Sequence, residues 1–325
     1  MIFGIDRVQY SKSEDKFYVY EFMEIPNLGV FLSPAGTFIS DKFWEKLYEM
    51  ITELEINKII QLFRLKKEVV KNYIFYQQGI DKYVRIQVVL ENATGVVMSF
   101  NDLQQWFRDL NNTDDEVQTS SKGLGTVRAS NEDNYVNGLL QSLYSNNSFK
   151  DDNGLELTKR LLNGDTTKGF DFDLFQYIPS TNEYIIYEFL KRDFPYIDNI
   201  QAHPMRYSWT GKTNDNKQKY ISLWKAKEYL NARFFLVSYS DNINEKVSII
   251  EVLALDEDTG FVEENKYVMS QNVFHGWLKD MNTYQKDHND YLSDFKSENY
   301  NQEFFEKYQK LKFDNDKKYG EVFKR

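Results

Sequence analysis

The sequence predicts an α/β fold of the mixed-sheet (α+β) kind, built as two related sheet domains flanked by helices. Three observations predict it. A stretch near the N-terminus recurs in the second half, each copy shows two alternating apolar strands around a polar turn, and helical apolar patterns flank these strands. The chain has 325 residues, which is enough for two domains of ordinary size.

The first part of the repeat needs no gap. Residues 2–24, IFGIDRVQYSKSEDKFYVYEFME, align with residues 169–191, GFDFDLFQYIPSTNEYIIYEFLK, so that Glu188 follows Glu21 by 167 positions (188 − 21). Apolar positions mostly fall on apolar positions in this alignment. The alternative interpretation is a chance similarity between aromatic-rich strands.

Two later matches keep the same order along the chain. MSFNDLQQWFRDLN (98–111) aligns with MSQNVFHGWLKDMN (269–282), and FWEKLYEM (43–50) aligns more weakly with LWKAKEYL (223–230). We therefore interpret the chain as a tandem duplication.

The duplication sets the predicted domain boundaries. We expect a first copy over 1–111, a polar linker over 112–129, a second copy over 130–283 and a charged tail over 284–325. Aromatic residues recur at helical spacing in the tail, which predicts a helix laid on the body of the protein.

The second copy is predicted to begin with helices. Ser130 and Asp133 resemble a capping box before a helix over 132–146, and the short helix GLELTKRLLN follows it. The remaining predicted elements are, in order, hairpin strands over 170–178 and 183–191, a helix over 218–231, strands over 232–240 and 246–255, and a closing helix SQNVFHGWLKDMNTY.

The first copy is predicted to begin at its hairpin, without a leading helix. A helix capped by Ser40, SDKFWEKLYEMITELE, and strands near 72–77 and 83–90 are expected to follow. Both copies therefore predict a mixed sheet flanked by helices.

Composition limits the chemistry. The chain has no Cys and three His, which excludes disulfides, zinc–thiolate sites and a His-built zinc site. The net charge of −10 weakens a nucleic-acid interpretation without excluding a local basic patch. We find neither an apolar run of membrane-spanning length nor a signal peptide, so we expect a cytoplasmic protein with no membrane partner.

The hairpin of the second copy places two carboxylates opposite each other. With PSTN as a four-residue loop, Asp173 lies directly across from Glu188. Such carboxylates repel, so either one of them binds a proton or a cation lies between them. The first copy repeats the arrangement with Asp6 and Glu21 around the loop KSED.

Two interpretations of the second pair stay open. Opposed carboxylates suit a hard divalent ion such as Mg²⁺ or Mn²⁺, with carbonyls and waters as further ligands. Alternatively, Glu188 forms a structural ion pair with Arg192 or Arg206, and the repeated Tyr-Glu-Phe only ties the sheet to a neighbouring helix.

The order of helix, hairpin with an Asp and a Glu, helix and further strands resembles the PD-(D/E)xK nuclease superfamily, which has the restriction-endonuclease-like fold. The resemblance covers about residues 130–255. It implies that Asp173 and Glu188 are catalytic and bind the metal, and that a nearby lysine completes the site.

The resemblance implies Lys191 for that lysine, with a departure from the family pattern. Lys191 stands three residues after Glu188, where the family has two, so it points to the other strand face unless a bulge intervenes. Lys225 and Lys227 on the following helix are the alternatives, because this lysine migrates within the family.

A basic segment with interleaved aromatic residues lies between the hairpin and that helix. In HPMRYSWTGKTNDNKQK (203–219), Arg206, Trp209 and Lys212 are candidate contacts to nucleic acid. A solvated loop is the alternative interpretation.

These features predict a metal-dependent nuclease, DNA-directed and of restriction or phage-defence type. The second copy would cut, and the first would serve dimerisation or substrate recognition, so a homodimer stays open. The alternative function is a non-enzymatic scaffold that uses two copies of one fold to bind a protein partner.

Overall fold

The computed structural model describes most of both repeats. The described residues are 1–11, 14–39, 41–89, 92–112, 134–145, 154–163, 169–179, 181–192, 197, 203–204, 208–209, 217–242, 244–283 and 291–297. No helix within these ranges is long and apolar enough to cross a membrane.

The chain divides into two compact units. The first comprises Met1–Asp133 and Asn146–Phe172, and the second comprises Asn134–Ser145 and Asp173–Arg325. Residues 146–172, which the sequence places in the second copy, belong to the first unit.

The first unit is a mixed sheet with helices. Its described elements are β1 Ile2–Ser11, β2 Lys16–Glu24, α1 Phe43–Tyr48, α2 Glu53–Phe63, β3 Val70–Tyr76, β4 Tyr83–Val89, β5 Asn92–Met98, α3 Phe100–Asn112 and α5 Gly154–Leu162. The strands lie in the order β1-β2-β3-β4-β5. Strands β2 and β3 are parallel, and the other neighbours are antiparallel.

The second unit repeats this arrangement. Its described elements are α4 Asn134–Tyr144, β6 Phe170–Ile178 (which begins just before the unit boundary), β7 Glu183–Lys191, α6 Lys217–Leu230, β8 Ala232–Tyr239, β9 Lys246–Asp256, β10 Gly260–Ser270 and α7 Gln271–Thr283. The strand order is β6-β7-β8-β9-β10, and β7 and β8 are the parallel pair. A mixed α/β fold is thus confirmed; its restriction-endonuclease-like character stays a prediction.

The two hairpins have the predicted register. Ser11 pairs with Lys16 in the first and Ile178 with Glu183 in the second. Both turns end on a residue with positive φ, Asp15 (51°) and Asn182 (54°). Asp and Asn tolerate this left-handed conformation better than other side-chain-bearing residues, so the same turn forms twice.

Equivalent aromatic residues pack the two cores. The Trp106 ring of α3 lies 6.0 Å from Tyr20, and the Trp277 ring of α7 lies 6.1 Å from Tyr187. The helices α3 and α7 correspond along their whole length at an offset of 171 (277 − 106). The same tryptophan–tyrosine contact therefore occurs at equivalent positions of both units.

A buried amide also recurs. The Gln9 Nε2 donates to the Leu110 carbonyl and the Gln176 Nε2 donates to the Met281 carbonyl, each at 2.6 Å. Each contact ties the first hairpin strand to the end of the last helix. The Tyr187 hydroxyl also donates to Gln176 Oε1 at 3.1 Å, which satisfies a second buried polar group.

Helix α5 packs on the first unit, although the sequence places it at the start of the second copy. Leu157, Leu161 and Leu162 are buried in one apolar cluster with Phe22 and other residues of the first sheet. Helix α4 stays with the second unit, where Tyr135 lies 6.2 Å from Phe189, the equivalent of Phe22. The first unit thus includes a helix whose residues the sequence places in the second copy.

Other expectations need correction. Strands β5 and β10 were not predicted, and the helix expected from Ser40 to residue 55 is two helices. Lys42, with φ of 54° and no side-chain cap bond, precedes α1, and a capping box of Thr52 and Glu55 begins α2. Ser40 itself lies outside the described residues.

The third repeat match is also wrong. The helix that leads into the parallel strand is α2 in the first unit and α6 in the second, so α6 corresponds to α2 and not to residues 43–50 in α1. The linker beyond 112 and most of the tail lie outside the described residues. Of the predicted tail helix, the described part holds one 3-10 turn, Tyr291–Phe295.

Candidate active site

The hairpin of the second unit brings Asp173 and Glu188 to adjacent strands. The antiparallel pairing runs from Ile178 with Glu183 to Leu174 with Tyr187, and the same register continued by one residue sets Asp173 opposite Glu188. The Asp173 Oδ2 accepts a hydrogen bond from the Phe189 backbone N–H at 2.6 Å. The Asp173 carboxylate therefore takes the place of a backbone carbonyl as the acceptor for this N–H at the end of the paired part of the hairpin.

Glu188 is buried and paired with a lysine from α6. It is 5% exposed, and its Oε1 lies 2.8 Å from the Nζ of Lys219. A buried carboxylate is expensive without a partner of opposite charge, so this contact explains how an apolar strand carries Glu188. The sequence did not suggest this lysine as the partner, and Arg206, one of the two arginines that it did suggest, lies outside the described residues.

The first unit contains the same three groups. The Asp6 Oδ2 accepts from the Phe22 N–H at 2.8 Å, and the Glu21 Oε2 lies 2.7 Å from the Nζ of Lys58 on α2. The Asp6 N–H also donates to Glu21 Oε1 at 3.4 Å. One arrangement of Asp, Glu and helix lysine is thus built twice.

Buried tyrosines accompany both pairs. Burial raises the pKa of Tyr220 to about 12; Arg192 and Lys219 lower it and Glu188 raises it. Burial also holds the pKa of Tyr73 well above its usual value, with Glu21 adding to the shift. Each phenol therefore stays protonated at neutral pH beside its carboxylate.

The structure does not bring Lys191 to this site. Its Nζ lies 2.5 Å from Asp241, and its side chain is 61% exposed. The pairing of β7 with β8 runs through Lys191 without a shift, so no bulge turns it to the face of Glu188.

The alternative lysines are engaged elsewhere as well. Lys225 forms an ion pair with Glu257 at 2.7 Å, and Lys227 forms one with Glu228 at 2.5 Å. The helix lysine at the site is Lys219, which the sequence reasoning did not select. Setting NKIIQLF (57–63) above QKYISLW (218–224) would have aligned it with Lys58.

The predicted nucleic-acid contacts are only partly described. Arg206 and Lys212 lie outside the described residues. Trp209 is half-buried against Tyr220 and Phe261, and its Nε1 donates to the Glu257 carbonyl at 3.1 Å. Packing accounts for Trp209 without a bound base.

An acid–base pair that the sequence did not indicate anchors the same region. The His203 Nε2 lies 3.0 Å from both carboxylate oxygens of Glu264, and both residues are buried. This contact fixes the described start of the basic segment against β10, so the segment is not simply a solvated loop there.

The donor set at the hairpin fits a magnesium-type ion in part. Mg²⁺ keeps several waters and takes one or two carboxylates, which Asp173 and Glu188 can supply. Within the described ranges, no cluster of three or more acidic, His or Cys side chains is placed to hold a metal. Such an ion would also compete with Lys219 for Glu188.

Comparison with known proteins does not assign the chain to a family. No family model matches the chain, and neither a curated protein sequence nor a solved structure matches it significantly.

Proposed function

We propose that the second unit is a metal-dependent nuclease that hydrolyses phosphodiester bonds in DNA, of restriction or phage-defence type. The observation that supports this proposal is the meeting of Asp173, Glu188 and Lys219 at one end of the hairpin. Two carboxylates can hold a divalent ion for phosphodiester hydrolysis, and a lysine beside them can stabilise the charge that develops in the transition state.

Each group has a role in this proposal. Asp173 and Glu188 would hold the divalent ion, which when bound supplies Lewis-acid polarisation of the phosphodiester and a water of lowered pKa. Lys219, with 24% of its side chain exposed, would be released from Glu188 by the ion and stabilise the negative charge that develops on the phosphate.

A second candidate is a protein-binding scaffold without catalysis. Asp173 already accepts a backbone N–H, Glu188 is buried in its ion pair, and the first unit repeats both contacts with its own residues. Under this candidate the three groups join the hairpin to the helix in both units and have no other task.

Cleavage assays separate the two candidates. Single- and double-stranded DNA and RNA are incubated with Mn²⁺ or Mg²⁺ and the wild type, Asp173→Asn, Glu188→Gln or Lys219→Met. We expect each variant to lose about 100-fold or more in rate, because each removes a group that acts on the transition state or holds the ion.

Two controls belong to the same assay. Lys191→Met and Asp6→Asn are expected to cleave like the wild type, because Lys191 pairs with Asp241 and Asp6 belongs to the other unit. A wild type that cleaves nothing, and whose melting temperature is the same in EDTA and in Mn²⁺, would overturn the nuclease proposal.

A further inference from the structure

A polar row crosses the sheet of the first unit on the face that α3 covers. Arg7, Tyr20, Asn72 and Gln87 are successive partners across β1, β2, β3 and β4. Because directly paired residues share one face, all four side chains lie on the side where Gln9 contacts the end of α3.

The second unit has an apolar core at the equivalent place. Leu174, Tyr187 and Phe235 stand where the first unit has Arg7, Tyr20 and Asn72. Trp277 covers them and is fully buried. The fourth position is polar in both units, because Glu251 pairs with Phe235 where Gln87 pairs with Asn72. The fold therefore does not require polar residues at the positions of Arg7 and Asn72, and their presence in the first unit calls for another reason.

Arg85 adds a second guanidinium to this row. It lies two residues before Gln87 on β4 and so shares its face. Its guanidinium carbon is 4.3 Å from the centre of the Trp106 ring, and Arg85, Gln87 and Trp106 are all half-buried. The row is thus open to solvent on the β4 side and closed on the β1 side.

Asn72 is the buried member of the row that most needs a ligand. It is 1% exposed, and neither its amide nitrogen nor its amide oxygen has a hydrogen-bond partner among the described residues. A buried amide without hydrogen bonds costs about 1–3 kcal/mol per group, so natural proteins rarely keep one unless something binds it.

The electrostatics of the row are cationic. Burial lowers the pKa of Arg7 to about 10 while Asp171 supports its charge, and burial also lowers the pKa of Arg85. Burial raises the pKa of the Tyr20 hydroxyl by more than the two guanidinium charges lower it, so the hydroxyl stays protonated. Arg7 donates to Gln9 Oε1 at 3.3 Å, so Arg85 is the half-buried cation of the row, and the neutral amides and the Tyr20 hydroxyl can donate beside it.

We propose that the first unit binds a small oxyanion, a phosphate or carboxylate group, between α3 and β4, held by Arg85 and Asn72. Guanidinium forks match the geometry of two oxyanion oxygens, and the Asn72 amide would supply a further donor. Tyr20 and Gln87 are the partners of Asn72 on the neighbouring strands and lie on the same face. This site is separate from the proposed hydrolysis and stands if that proposal fails.

The test measures melting temperature with inorganic phosphate, citrate or chloride at matched ionic strength. We expect one of the two oxyanions to raise the melting temperature by about 3 °C or more at ten times its dissociation constant, relative to chloride. Phosphate acting alone identifies a phosphate ligand, and citrate acting alone identifies a carboxylate ligand.

Variants locate the effect. Asn72→Leu and Arg85→Met should each abolish the rise in melting temperature. Arg85 is half-buried, so the Arg85→Met variant is expected to fold even if Asn72→Leu does not. Lys82→Met removes an exposed charge from the same unit and should keep the rise. A rise that persists in Arg85→Met, or no rise with either oxyanion in the wild type, would overturn the proposal.

Discussion

Removing the lysine of the buried ion pair in the first unit should destabilise it strongly. The Lys58 Nζ is 2.7 Å from Glu21, and the two side chains are only 10% and 4% exposed. At that distance the gross attraction is about 6 kcal/mol for an effective dielectric constant of 20. Lys58→Met leaves Glu21 buried without its cation, which costs about 3–5 kcal/mol.

The equivalent change in the second unit should cost less. The Lys219 side chain is 24% exposed, so water can partly replace it beside Glu188. We expect Lys219→Met to destabilise by about 1 kcal/mol less than Lys58→Met.

Calorimetry is the suitable assay because two units can unfold in separate transitions. A loss of 3 kcal/mol lowers the melting temperature of a unit of this size by about 6–12 °C. The double variant Glu21→Gln with Lys58→Met should recover most of the loss, because no buried charge is left alone. Lys42→Met is the control: its pair with Glu45 is 65% and 63% exposed, so its loss should change stability by at most about 1 kcal/mol.

The reasoning fails if Lys58→Met melts within about 2 °C of the wild type, or if the double variant is no more stable than the single one. Either result would mean that Glu21 is solvated or protonated without Lys58, and that the ion pair does not explain the acid in β2.

Three further predictions concern other parts of the chain. Leu161→Ala should destabilise the first unit by about 2–5 kcal/mol, because this fully buried residue docks α5, and residues 1–111 alone should accordingly fail to show a cooperative melting transition. Burial lowers the pKa of Lys71 to about 8, so above that pH the folded state binds fewer protons than the unfolded state. The stability of the wild type, measured by urea unfolding, should therefore rise relative to that of Lys71→Met between about pH 8 and 10.5. A stability difference that does not change with pH would contradict this prediction. Burial also lowers the pKa of His275, so stability should fall as the pH drops below about 6.5, and His275→Gln, which copies Gln104 of the first unit, should remove that dependence in a melting series.

The sequence by itself determined the local and repeated features. Alternation with a period of two and a four-residue loop define the hairpin register, which places Asp173 beside Glu188. The alignment of Trp106 with Trp277 predicted their equivalent packing. The register inference succeeds because strand pairing across a short loop depends on residues that are close in sequence.

Only the tertiary structure decided which distant groups meet. The sequence offered several lysines on or near α6, and the rotation of that helix about its axis selects Lys219 for Glu188. Likewise, α5 precedes the second copy in sequence but buries Leu161 in the first unit. Both outcomes depend on the burial of apolar area and of paired charge between residues far apart in the sequence, and the periodicity of a single strand or helix does not show which distant groups will meet.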